Sequence, residues 1–153
     1  AYMDTHDGKL PIHDGIDVMT VGGVTFKRYL EIAQVLEKTT TVVTDNDGNI
    51  EAVKKKYKEY EKIPYIHICA DETVDTGNLK LSDKSFNYNT LEPKILKENG
   101  RGLLNSIFGT TYKTDDEMHK YMHSHKTDCA IAIFESVTRI KYPEYIMRAI
   151  KNE

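Results

Sequence analysis

The chain has 153 residues, 39% of them hydrophobic and 29% charged, with a formal net charge of −3. This balance is typical of a soluble globular protein, and no apolar run approaches the length of a membrane span. The N-terminus has neither the basic start nor the apolar stretch of a signal peptide. The negative net charge argues against a protein held to nucleic acid by charge alone.

Two cysteines, Cys69 and Cys129, lie far apart in sequence, each in an apolar context. The apolar context favours two buried free thiols over a disulfide, as expected for a cytoplasmic protein.

The first half of the chain alternates short strands and helices. In order, we expect a strand at 16–20, a helix from Phe26 to Leu36, a strand at 39–44, a helix from about Ile50 to Lys62 and a strand at 65–70. This alternation predicts an α/β fold in which the three strands are parallel neighbours with helices packed on them. In such sheets, functional groups gather at the carboxyl ends of the strands.

The second half of the chain is expected to be mainly helical. Residues 71–89 are polar and predict a long loop. Helices are expected after Thr90, after a capping box that begins at Thr114, from Thr127 or Asp128 to about Ile140, and after Pro143.

The sharpest local feature is the run Asp45-Asn46-Asp47-Gly48 directly after a predicted strand. Two carboxylates at alternate positions can converge on one hard cation such as Mg²⁺. The same residue types also favour a plain polar β-turn. A calcium-binding EF-hand loop is excluded, because its glycine and glutamate positions hold Ile50 and Lys56.

Two further residues are candidates for chemistry. Lys126 lies just before a predicted helix, where it can neutralise a phosphate or a developing oxyanion, although an isolated lysine is usually an ordinary surface residue. Glu92 lies in the first turn of a predicted helix, where the helix dipole favours acidic residues whether or not they bind a metal.

Three histidines, His119, His123 and His125, lie close together in the sequence just before Lys126. His119 and His123 share one face of a predicted helix, which permits zinc binding. The zinc-protease pattern needs glutamate after the first histidine, and that position holds Lys120. With His125 they are therefore interpreted as a solvated helix face.

These features, taken in order, resemble the Toprim domain of OLD-family endonucleases, and most of all the nuclease subunits of Gabija anti-phage systems. No single motif is specific to this family, but the whole set in this order is much more specific. The set comprises Val21-Gly22-Gly23 with Phe26, the strand end from Thr41 to Gly48, Thr90-Leu91-Glu92-Pro93, His125-Lys126-Thr127-Asp128 with Ala130, and the segment from Tyr142 to Ile150.

The resemblance implies a parallel Toprim-like sheet flanked by helices, with a helical C-terminal part, and metal-dependent hydrolysis of DNA phosphodiesters. It assigns catalytic roles to Asp45, Asp47 and Lys126. It assigns one or two Mg²⁺ or Mn²⁺ ions to Asp45, Asp47 and Glu92. Two ions would bind the attacking and leaving oxygens of an in-line displacement.

The resemblance also implies parts that this sequence lacks. Toprim domains begin with a strand that ends in a catalytic glutamate, which we expect shortly upstream of Ala1. No phosphate-binding Gly-x-x-x-x-Gly-Lys-Ser/Thr stretch occurs, so ATP would act only through a separate N-terminal ATPase domain. Residues 1–153 would then be a C-terminal catalytic fragment of a cytoplasmic homo-oligomer in anti-phage defence, with a possible UvrD-like helicase partner.

Three alternatives stay open at this point. A receiver domain also has strand-end aspartates and a lysine, but its lysine ends a late strand, whereas Lys126 follows a helical stretch. A topoisomerase or primase shares the Toprim core. A degenerate, non-catalytic Toprim interaction domain would retain the fold without binding divalent ions.

Overall fold

The computed structural model describes residues 1–22, 26–77 and 86–151. Their helices and strands are, in chain order, α1 (Tyr2–Thr5), α2 (Phe26–Val35), β1 (Thr40–Thr44), α3 (Ile50–Tyr57), β2 (Ile66–Ala70), α4 (Leu91–Phe108), α5 (Asp115–Ser124), α6 (Lys126–Glu135) and α7 (Glu144–Lys151). The chain divides into two compact units. The first comprises Ala1–Thr44, Glu51–Ala70 and Glu144–Glu153, and the second comprises Asp45–Ile50 and Asp71–Pro143.

The first unit is built on a parallel pair of strands. Thr40 of β1 lies opposite Ile66 of β2, and Thr44 lies opposite Ala70. Helices α2 and α7 contact the strands, and the Arg148 guanidinium of α7 donates a hydrogen bond to the Ala70 carbonyl. The buried core of this unit consists of Leu30, Val42, Tyr57, Tyr60 and Ile66. The predicted α/β class, with parallel strands flanked by helices, is confirmed.

The second unit is helical and contains α4, α5 and α6, which contact one another. Its buried core consists of Ile95, Leu96, Leu104, Met118, Met122, Cys129 and Ile140. Helix α4 is interrupted at Gly100, whose backbone is non-helical with φ +74° and ψ 153°. The predicted helical C-terminal part is confirmed, as is the capping box at Thr114 and Glu117.

The strand predicted at 16–20 is wrong. Within the described residues the sheet has only β1 and β2, and residues 16–20 adopt no regular secondary structure. Val18 and Met19 are 77% and 61% exposed, so the apolar residues that suggested a strand do not face a core. A strand needs a hydrogen-bonded neighbour, and the local pattern cannot supply one.

Two predicted helices have different bounds in the structure. Helix α3 ends at Tyr57, and a 3-10 turn from Lys58 to Tyr60 replaces its expected last turns. Helix α6 begins at Lys126 and ends at Glu135, short of Ile140. Just beyond its end, the Ser136 hydroxyl accepts a hydrogen bond from the Thr138 backbone at 3.0 Å. Such side-chain bonds compete with helical ones.

Two sequence predictions fall partly outside the described residues. The motif Val21-Gly22-Gly23 includes Gly23, and the loop predicted at 71–89 includes residues 78–85, all of which lie outside the described residues. The described parts of that loop, 71–77 and 86–89, contain no regular helix or strand, as predicted.

Both cysteines are buried and neither forms a disulfide, as predicted. Burial, followed by the charges of Asp128 and Glu92, raises the pKa of Cys129 to about 11, so this thiol is protonated and unreactive at neutral pH. Among the described residues, no helix combines the length and apolar character needed to cross a membrane.

Candidate metal centre

Two aspartates follow β1 at its carboxyl end. Asp45 is half-buried and Asp47 is exposed. Asp47 has a φ of +48° and Gly48 has a φ of +83°. This left-handed backbone suits glycine, and aspartate tolerates it better than most residues do. The resulting tight turn keeps both carboxylates close to the strand end.

The electrostatic surroundings of Asp45 are dominated by other acids. Burial raises the pKa of Asp45, and the charges of Asp47, Glu92 and Asp71 raise it further, in that order, while a backbone hydrogen bond acts weakly in the opposite sense. Carboxylates that raise one another's pKa create a local negative potential. A bound cation would relieve this repulsion.

Glu92 and Lys126 form an ion pair. The Lys126 ammonium lies 2.5 Å from the Glu92 carboxylate, and the two side chains are 58% and 14% exposed, respectively. Burial alone would raise the pKa of Glu92, but the hydrogen bond from Lys126, a backbone hydrogen bond and the lysine's charge together hold it below its ordinary value. Glu92 is therefore ionised at neutral pH.

The structure thus brings the four sequence-predicted residues into one electrostatic group in the second unit. The charges of Asp47 and Glu92 raise the pKa of Asp45. Lys126 joins the group through its ion pair with Glu92. The first turn of α4 supplies the glutamate, and the first residue of α6 supplies the lysine.

Sequence reasoning missed a buried ion pair beside this group. Asp71 directly follows β2, and its carboxylate lies 2.5 Å from the ammonium of Lys94 on α4, with the two side chains only 6% and 10% exposed. The other carboxylate oxygen of Asp71 accepts hydrogen bonds from the backbone and hydroxyl of Thr73 at 3.0 and 2.8 Å. The sequence feature that could have identified Asp71 is its position directly after the strand predicted at 65–70.

Asparagines tie the loop after β2 to the aspartate turn. The Asn87 amide donates a hydrogen bond to a carboxylate oxygen of Asp47 at 3.1 Å. Asn89 accepts a hydrogen bond from the Asp75 backbone at 2.6 Å and donates one to the Asp75 carbonyl at 3.1 Å. Lys97 pairs with the Asp75 carboxylate at 2.7 Å. Asp75 is therefore neutralised by its lysine, as Asp71 is by Lys94.

The interpretation of the histidine cluster as a solvated face is wrong for His119. This residue is 1% exposed, and neither ring nitrogen has a hydrogen-bond partner. Its ring packs edge to face against the Phe86 ring, with 4.7 Å between the ring centroids. The His123 ring lies 5.1 Å from the same Phe86 ring, centroid to centroid. Burial lowers the pKa of His119, although the Glu92 charge acts in the opposite sense. Burial and the contact with the Phe86 ring favour the neutral form of the His119 imidazole.

The donor set fits a hard divalent cation in its chemistry. Asp45, Asp47 and Glu92 offer carboxylate oxygens, which Mg²⁺ prefers, and Mg²⁺ retains several water ligands. Over the described ranges, however, no three histidine, cysteine, aspartate or glutamate side chains are already grouped to hold a metal. The Lys126 ammonium pairs with one oxygen of the Glu92 carboxylate. Metal binding at that oxygen would therefore require Lys126 to shift.

The first unit is an α/β unit with parallel strands, and the second unit contains the acidic group of Asp45, Asp47 and Glu92. Residues 1–47 match the family described as "Overcoming lysogenization defect protein-like, TOPRIM domain". The match supports a Toprim domain of OLD-like proteins, and such domains typically bind divalent metals such as Mg²⁺ and act as nucleases or primases. Asp45 and Asp47 lie within the matched segment, whereas Glu92 and Lys126 lie beyond it. No curated protein and no solved structure matches the chain.

Proposed function

We propose that this chain is the catalytic part of a divalent-metal-dependent DNA endonuclease of the OLD family. The observation that carries the proposal is that Asp45, Asp47 and Glu92 form one acidic group after β1, in which Lys126 pairs with the Glu92 carboxylate at 2.5 Å. Groups whose pKa values are shifted by burial and by charged neighbours are enriched at functional sites. The family match over residues 1–47 includes both aspartates of the turn.

In this proposal, Asp45 and Asp47 hold one or two Mg²⁺ or Mn²⁺ ions, and Glu92 contributes to the second ion. The ions would polarise the phosphodiester and lower the pKa of the attacking water. Lys126, whose side chain is 58% exposed, neutralises charge that develops on the phosphate or the leaving oxygen. Glu92 orients Lys126 through the ion pair before DNA binds.

The proposal extends to the larger protein that the resemblance implies. There, residues 1–153 form the Toprim catalytic domain downstream of an ATPase domain, which alone would bind ATP. The assembly would be a cytoplasmic homo-oligomer that cuts DNA in anti-phage defence of the Gabija type, with a UvrD-like helicase as partner.

Cleavage of plasmid DNA by the full-length protein tests the proposal. We expect Asp45→Ala and Asp47→Ala to abolish Mg²⁺-dependent cleavage. Both proteins should remain folded, because turn side chains that are exposed or half-buried contribute little to stability. Asp115→Ala is the matched control, since Asp115 lies in the same unit but pairs with Arg101 at 3.1 Å. Normal cleavage by Asp45→Ala would refute the assignment.

One observation favours a second candidate, a non-catalytic Toprim interaction domain. Two of the carboxylates near Asp45 already have lysine partners, Glu92 with Lys126 and Asp71 with Lys94. Internal lysines can replace a cation as the source of positive charge. Calorimetric titration with Mn²⁺ separates the two candidates: binding that depends on Asp45 favours the nuclease, and no binding favours the interaction domain.

A further inference from the structure

Asn46, between the two aspartates of the turn, is one of the most buried polar residues described, with 1% of its surface exposed. Its amide nitrogen donates hydrogen bonds to the Thr73 carbonyl at 2.6 Å and the Asp71 carbonyl at 3.1 Å. Its amide oxygen accepts a hydrogen bond from the Gly48 backbone at 2.8 Å. One side chain therefore fastens the turn after β1 to the segment after β2.

The segment that receives Asn46 is itself held in place. Lys94 donates hydrogen bonds to the Thr73 hydroxyl at 3.0 Å and to the Thr73 carbonyl at 3.3 Å, in addition to its ion pair with Asp71. Asp71 also accepts two hydrogen bonds from Thr73. Asn46 is thus anchored to a hydrogen-bond network that includes Lys94 of α4, the helix that carries Glu92.

The chemistry of the position selects an asparagine. Only a side chain with both a donor and an acceptor can bond two carbonyls and one backbone amide at once. Aspartate would keep the acceptor, lose the donor and add a further negative charge beside Asp45, whose pKa burial and neighbouring carboxylates already raise. Asn46 therefore binds the turn without increasing the repulsion within it.

We propose that Asn46 is a positioning residue that holds the Asp45 and Asp47 carboxylates in the arrangement that binds the divalent cation. The inference deepens the proposed function and rests on it. Asn46 lies between the two aspartates, and its hydrogen bonds span the turn that includes the left-handed backbone of Asp47. Residues that orient metal ligands typically change metal affinity by about 10–100-fold when they are removed.

The test compares Asn46→Ala with Asn105→Ala in the full-length protein. Asn105 is a matched control, because it also makes three hydrogen bonds within the second unit, to the Tyr112 carbonyl, the Tyr112 backbone amide and the Thr110 hydroxyl. Three quantities are measured: amide exchange at Gly48 without metal, the Mn²⁺ dissociation constant by calorimetry, and the Mg²⁺ concentration that gives half-maximal DNA cleavage.

We expect Asn46→Ala to accelerate Gly48 exchange and to weaken Mn²⁺ binding by about 10–100-fold. The Mg²⁺ midpoint should shift by the same factor, while cleavage at saturating Mg²⁺ recovers to within about twofold, since the catalytic groups themselves are unchanged. Asn105→Ala should leave all three quantities at wild-type values. If Asn46→Ala fails to fold, Asn46→Ser, which keeps an acceptor for Gly48, should show the same changes to a smaller extent.

The outcomes separate this inference from the proposed function. If the wild-type protein neither binds Mn²⁺ nor cleaves DNA, the proposed function fails, and the role of Asn46 fails with it. If the wild-type protein binds Mn²⁺ and the Asn46 variants bind it equally well, only the inference fails. Equal shifts in the Asn46 and Asn105 variants would also overturn it, because they would reflect a general loss of structure.

Discussion

The ionisation of Asp45 links the acidic centre to stability. Burial, followed by the charges of neighbouring carboxylates, raises the pKa of Asp45 in the folded protein. A raised pKa contributes stability that is fully present below the unfolded-state pKa and is lost as the pH rises through the folded-state pKa. In the metal-free protein, ionised Asp45 is therefore unfavourable at neutral pH.

Accordingly, Asp45→Asn should raise the free energy of unfolding of the metal-free protein at about pH 7. The gain should be at most about 1 kcal/mol, because a half-buried group is partly screened by solvent. It should vanish near pH 3, where the carboxylate is protonated in both states. Urea denaturation with EDTA at both pH values measures this, with the exposed Asp17→Asn as control. A stability loss at neutral pH would contradict the expectation.

A second prediction concerns the Lys126–Glu92 pair. We expect Lys126→Ala to reduce DNA cleavage by about 10²–10³-fold, with a much smaller effect on Mn²⁺ affinity. Because the lysine lowers the Glu92 pKa against the effect of burial, the same variant should raise that pKa. Cleavage assays and an NMR titration of the Glu92 carboxyl measure the two effects. Lys120→Ala, on the exposed face of α5, is the control, and equal cleavage by both variants would demote Lys126 to a surface lysine.

At the scale of elements, Gly100 sets the shape of α4. Its φ of +74° is non-helical, and a Cβ added there would meet nothing within 4 Å. Gly100→Ala should therefore destabilise the protein through backbone strain alone, by about 1–3 kcal/mol, because this region of φ and ψ is nearly restricted to glycine. Gly102→Ala, also free of steric contact but within the regular helix, should stabilise it by up to about 1 kcal/mol. Thermal denaturation compares the two, and a destabilised Gly102→Ala would refute the distinction.

The strands show how much of the secondary structure a local sequence pattern can predict. Residues 39–44 and 65–70 were predictable as a parallel pair, because their β-branched and apolar residues flank a helix of the right length. Residues 16–20 have a similar composition but do not form a strand, and Val18 is 77% exposed. Strand formation depends on a neighbour, which composition alone does not specify. For the same reason, helix α6 could be located from its sequence but its end at Glu135 could not.

The position of the candidate carboxylates was predictable where they follow a strand, whereas the contacts of buried polar groups were not. Asp45 and Asp47 stand directly after β1, so a strand-end site was visible in the sequence. The pairing of Asp71 with Lys94 depends on both groups being buried 2.5 Å apart, which sequence spacing does not show. Asn46 looked like an ordinary turn residue, since its partners lie 25 and 27 residues away.

The charge of the chain bears on the proposal that it binds DNA. The chain carries a net charge of −3, and the carboxylates around Asp45 concentrate negative charge where a phosphate would have to bind. Lys126 offers positive charge nearby, but Glu92 already offsets it. Phosphate binding at this centre therefore requires bound cations to reverse the local potential.

The last prediction follows from this electrostatic requirement. DNA binding by the full-length protein should be stronger in Ca²⁺, which is expected to fill the carboxylate site, than in EDTA. The gain should be roughly tenfold, the effect of about 1.4 kcal/mol of removed repulsion. Fluorescence anisotropy with a short duplex at constant ionic strength measures it. Asp45→Asn should lose most of the Ca²⁺ dependence, whereas Asp115→Asn should keep it. Equal affinity of the wild-type protein in Ca²⁺ and EDTA would show that phosphate binding does not pass through this centre.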